Sequence, residues 1–85
     1  MRYVLRAYVC DCGDVKRVND EGSSTVADIF LRRPDTCKYA IVRFRDKYLV
    51  VDLYELLTDG KDVMIGEHIE LPTEDAAIAA AQLKY

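Results

Sequence analysis

The sequence predicts one small α+β domain spanning residues 1–85, with element order ββαβββα. An antiparallel or mixed five-stranded sheet is expected, with two helices packed on one face. Three observations carry this expectation. Apolar and polar residues alternate with period two in several short stretches separated by turn residues. Two other stretches carry helical spacing and capping residues instead. At 85 residues the chain is one small domain.

Taken in order, "RYVLRAYVC" (residues 2–10) reads as a strand, with Tyr3, Leu5, Ala7 and Val9 on one face. "DCGD" supplies a turn at Gly13, and "VKRV" returns as a second strand. "NDEGSS" is a polar loop. "STVADIFLRR" follows as a short helix capped by Ser24 or Thr25, with Val26, Ile29, Phe30 and Arg33 on one side and Pro34 as its stop. "CKYAIVRFR" (37–45) is the third strand, Asp46-Lys47 a tight turn, and "YLVVDLYEL" (48–56) the fourth strand. "TDGK" turns the chain into "DVMIGEHIEL", the fifth strand, where Gly66 marks a bulge. The last helix is announced by Thr73 as N-cap, by Glu74 and Asp75 in its first turn, and by an alanine run.

Composition excludes some classes of protein. Half hydrophobic and one third charged, the chain has the balance of a folded globular domain. No apolar run is long enough to span a membrane, and Arg2 and Arg6 interrupt the N-terminal stretch, so a cytoplasmic protein is expected. The net charge of −3 is unevenly spread: residues 1–47 carry ten Lys and Arg against seven Asp and Glu, and residues 48–85 carry two against eight. Such asymmetry favours docking between copies or to a protein partner over general attraction to nucleic acid.

If both helices cover one face, the other face is open. It would present Arg6, Tyr8, Tyr39, Ile41, Arg43, Arg45, Tyr48, Val50 and Tyr54. Tyrosine and arginine are enriched where proteins bind one another, and they also stack on and neutralise single-stranded nucleic acid. Cross-strand pairing on an ordinary solvated sheet explains the same residues.

"CDCGD" (10–14) is the stretch closest to a chemical motif. Cys10, Cys12, Cys37 and His68 could in principle hold zinc, but one C-x-C and two singletons lack the paired spacing of a zinc site. In a reducing cytoplasm the three cysteines are expected as free thiols at strand ends. No glycine-rich phosphate loop or nucleophile–base pair is present by spacing, so no cofactor and no enzymatic activity is expected.

From residue 24 onward the order αβββα, ending in "GEHIELPTEDAAIAAAQL", resembles the double-stranded-RNA-binding domain. That family sets phosphate-gripping lysines at the start of its last helix. Here Thr73, Glu74 and Asp75 stand there, and carboxylates repel a phosphate backbone, so the chain is not assigned to it. The functional expectation is a non-catalytic interaction module: a homodimer or the binder of a protein partner, acting through the Tyr/Arg face or an edge strand. Single-stranded nucleic-acid binding is the alternative, and a ligand- or zinc-binding domain the third.

Overall fold

The computed structural model describes residues 2–19 and 22–83. Residues 20–21, at the centre of the predicted polar loop, and the end of the chain after residue 83 lie outside the described residues. The elements are β1 (Arg2–Cys10), β2 (Val15–Arg17), β3 (Ser24–Thr25), α1 (Val26–Leu31), β4 (Cys37–Phe44), β5 (Lys47–Asp52), β6 (Leu57–Asp59), β7 (Asp62–Met64), β8 (His68–Leu71) and α2 (Glu74–Gln82). The main sheet runs β2-β1-β4-β5-β8, antiparallel throughout, with β3 added on β1. β6 and β7 form a separate hairpin. This is the expected mostly antiparallel α+β domain with two helices.

The expectation of both helices on one face is corrected. α1 contributes Val26 and Ile29 to a core with Tyr3, Leu5, Tyr8, Cys10, Val42, Leu49, Val51 and Leu53. α2 contributes Ala77, Ile78 and Ala81 to a core on the opposite face, with Ala7, Val9, Tyr39, Ile41 and Val50. Two irregularities produce this sorting. The β1–β4 register passes from Leu5↔Val42 to Ala7↔Ile41, so Arg6 is an extra residue and the strand changes phase there. Tyr3 and Leu5 therefore share a face with Tyr8 and Cys10, while Ala7 and Val9 turn to the other. Farther along, Val9↔Tyr39 is followed by Cys10↔Cys37, which skips Lys38 and turns Cys37 to the face of Cys10. One extra residue reverses every later side chain, because the strand period is two.

α2 begins as the sequence predicts. Thr73 Oγ1 accepts from the Ala76 N–H at 3.1 Å. Glu74 is tied to the sheet: its carboxylate accepts from Arg6 Nε at 2.6 Å and from Arg17 at 2.8 Å. The alanines then let the helix lie close on the sheet, with Ala77 and Ala81 fully buried. At the far end, the Gln82 side chain donates to the Gly13 carbonyl at 2.9 Å.

α1 is shorter and is held at points. Thr25 caps it, accepting from the Asp28 N–H. The Tyr8 hydroxyl crosses to its Ile29 carbonyl at 2.6 Å. Arg33 stacks 4.0 Å above the Phe30 ring and donates to the Phe30 carbonyl.

The predicted fourth and fifth strands break into smaller pieces. β5 ends at Asp52, whose carboxylate accepts from the Tyr54 N–H at 2.9 Å and so turns the chain. The segment expected as one strand over residues 62–71 is two strands, β7 and β8. Gly66 lies between them where a Cβ would overlap the Glu55 carbonyl, so the glycine serves a backbone crossing rather than a bulge.

Candidate functional site: an apolar groove beside the second hairpin

The predicted Tyr/Arg face is not open, because α2 covers it. Ile41 is fully buried, and Tyr39 and Val50 lie beneath the same helix. Tyr48 is half-buried and packs on that core. Arg6 is half-buried on Glu74. Tyr8 is buried on the opposite side, under α1. Arg43 and Arg45 remain exposed, Arg45 as a turn residue at φ 59° with its guanidinium 5.1 Å from the Phe44 ring. Stacking of bases needs aromatic rings beside these arginines. Of the tyrosines expected there, Tyr8 and Tyr39 are buried in the two cores, and Tyr48 stands half-buried opposite Arg43.

The cysteines sort differently from expectation. Cys10 and Cys37, placed opposite each other by the skipped Lys38, form a disulfide buried in the α1-side core. Cys12 is exposed in the turn, and His68 stands on β8 at the far end of the sheet. The four do not converge, and among the described residues no group of three or more His, Cys, Asp or Glu is arranged to hold a metal ion.

The distinctive surface lies on the α1 side. α1 covers only part of that face, and the β6–β7 hairpin rises over the rest. β6 and β7 pair Leu57↔Met64, Thr58↔Val63 and Asp59↔Asp62, turning at Gly60 with φ 62°. Alternation along the hairpin aims Val63 inward, toward α1, and Leu57 and Met64 outward. Between helix and hairpin runs a groove of about 450 Å³. Ala27, Phe30 and Leu31 form one wall and Leu56, Thr58 and Val63 the other. Leu53 is its buried floor, and Tyr54 stands on its rim. The rim is apolar and wet at once: Leu31 is 76% exposed and Tyr54 55%. Contiguous exposed apolar residues around a concave apolar surface mark a binding site more often than single exposed leucines do.

A second cleft of about 690 Å³ opens on the other side of the hairpin. Its floor is Tyr3, Val26, Phe44 and Leu49, with the Tyr3 and Phe44 rings 5.1 Å apart. Its mouth carries Lys61, Asp62, His68 and Glu70, two basic-type and two acidic groups that give no single preference. Burial pushes the Tyr3 phenol upward from its ordinary value. It pushes Tyr8 upward as well, with Arg32 and Arg33 partly opposing the shift.

The lining of the smaller groove carries no charged side chain, and acidic residues stand outside it. The hairpin and its approach carry Glu55, Asp59 and Asp62 against Lys61, all exposed. Asp59 and Asp62 are directly opposite, a like-charge pair that destabilises the hairpin unless a cation relieves it. The groove supplies apolar burial, the acidic hairpin tip lies outside its lining, and that lining holds neither a cysteine nor a histidine.

Of the residues expected at a binding face, Tyr54 alone lies at this groove. The sequence places Phe30 on the buried side of its helix and Leu53 and Leu56 in the fourth strand. The available signal was "DLYELL", an aspartate followed by apolar residues too dense for a strand with one solvated face.

No protein-family model, no curated protein and no solved structure matches the chain. Among the described residues no helix is long and apolar enough to cross a membrane.

Proposed function

We propose that this domain is a non-catalytic protein-interaction module whose α1–hairpin groove takes a short apolar segment flanked by basic residues. The observation that carries this reading is the groove's composition. Its walls are apolar with Leu31 and Tyr54 left in water, and the adjoining hairpin tip, outside the lining, bears the opposed Asp59 and Asp62. A leucine-bearing segment would remove that apolar area from water, and its lysines or arginines would relieve the aspartate pair. A helical segment fits a groove of this kind through anchors spaced three and four apart.

The test is calorimetric titration with an amphipathic peptide of leucines flanked by lysines, against a control in which serines replace the leucines. Binding of the first and not the second is expected, weakening with added salt. Leu31→Glu should abolish binding while leaving stability within about 0.5 kcal/mol, because the side chain is exposed. Equal binding of both peptides, or undiminished binding to Leu31→Glu, would refute the groove as the site.

A further inference from the structure

The sheet ends at β8, and among the described residues no strand lies beyond it. An unpaired edge is a template for another strand. Its phase is fixed by one hydrogen bond: the Asp52 N–H donates to the Glu67 carbonyl at 3.5 Å. With Val51↔His68 and Val50↔Ile69 in register, Glu67, Ile69 and Leu71 turn their backbone groups toward β5. His68 and Glu70 turn theirs to the open edge.

We propose that a second copy of this chain docks on this edge. The two β8 strands run antiparallel about a two-fold axis at Ile69, with His68 of each copy opposite Glu70 of the other. Three registers keep outward backbone groups paired. One sets Glu70 against Glu70 and His68 against Pro72, which repels and lacks a donor N–H. Another sets His68 against His68 and Glu70 against Gly66, which lies outside the strand. The third sets imidazole against carboxylate twice, completes both backbone pairs, and meets Ile69 with Ile69, 37% exposed and free to be covered. Glu70 also faces Lys47 of its own chain at 3.7 Å, and its two oxygens can serve both neighbours. The inference goes beyond the groove reading and uses a different edge of the molecule.

The experiment is sedimentation equilibrium up to millimolar chain, followed by disulfide trapping in a Cys12→Ser background. Reversible dimer formation is expected, weakened about tenfold or more by Ile69→Lys, which opposes two like charges on the axis. Ile69 is partly exposed, and circular dichroism checks that the variant is folded. Ile69→Cys should cross-link faster than His68→Cys or Glu70→Cys, because only residue 69 meets itself in this register. A wild-type chain that stays monomeric throughout, or cross-linking fastest at residue 68 or 70, would overturn the proposal. Peptide binding at the groove does not depend on Ile69, so failure here leaves the groove reading to its own titration.

Discussion

The two faces of the sheet are stabilised in different ways. On the α2 face, alanines bring a nine-residue helix down onto a smooth floor of Ala7, Val9, Ile41 and Val50, and Glu74 is clamped by two arginines. On the α1 face, a six-residue helix is held by a phenol hydrogen bond and a stacked arginine, beside a disulfide, and the hairpin roofs the remainder incompletely. The first face is closed by continuous packing. The second is pinned at separate points, and the spaces between the pins are the grooves. Recognition belongs where packing is unfinished, since a filled core has no apolar area left to offer.

The largest expected effect lies on the closed face. Ile41→Glu places a carboxylate under α2 with no partner, and the variant should not fold, the cost exceeding roughly 4 kcal/mol. Circular dichroism decides it; a folded Ile41→Glu would mean that the face is open after all. Next comes the Cys10–Cys37 disulfide, which closes a loop across a sequence separation of 27 residues. Its reduction should lower unfolding stability by about 3 kcal/mol, read from denaturant midpoints with and without reductant, and only Cys12 should alkylate in the unreduced, unfolded chain. Gly66→Ala should cost about 2 kcal/mol, because the Glu55 backbone must move aside, and should loosen the hairpin ahead of the sheet.

The smallest effect sharpens the pinned face. Tyr8→Phe removes the hydroxyl bond to Ile29 and should cost about 1 kcal/mol at neutral pH. Its pH dependence has a definite sign. Burial raises the folded-state value above the unfolded phenol's ordinary ~10, so the contribution is fully present below about pH 10 and is lost as pH rises through the raised value. The alkaline decline in stability should therefore be shallower for Tyr8→Phe than for wild type.

The same contrast explains what was legible in the sequence. α2 was readable residue by residue, because Thr73, Glu74, Asp75 and the alanines each state a local preference. The α1 face was not. Its arrangement depends on Arg6 and Lys38 standing as extra residues, and neither has a local signature such as glycine. A signal was nevertheless present. Ala7-Tyr8-Val9-Cys10 and Tyr39-Ala40-Ile41-Val42 are unbroken apolar runs, which a sheet with one wet face does not need. They announce burial on both faces, and so a helix on each. Period-two alternation alone places Tyr8, Tyr39, Ile41 and Val50 on an exposed surface, and a helix on each face is what covers them. The disulfide was hidden for a related reason, since Cys10 meets Cys37 through the skip at Lys38. A buried disulfide is at home in oxidising compartments and in intracellular proteins of hyperthermophiles.

Residue-resolved amide hydrogen exchange, on the free protein and with the leucine–lysine peptide bound, tests the contrast between the faces most directly. In the free protein the α2 amides should exchange slowly and those of residues 57–64 fast. With peptide, the hairpin and α1 should gain protection while α2 stays unchanged. Hairpin amides as slow as those of α2 in the free protein, or protection gained on α2, would contradict the account.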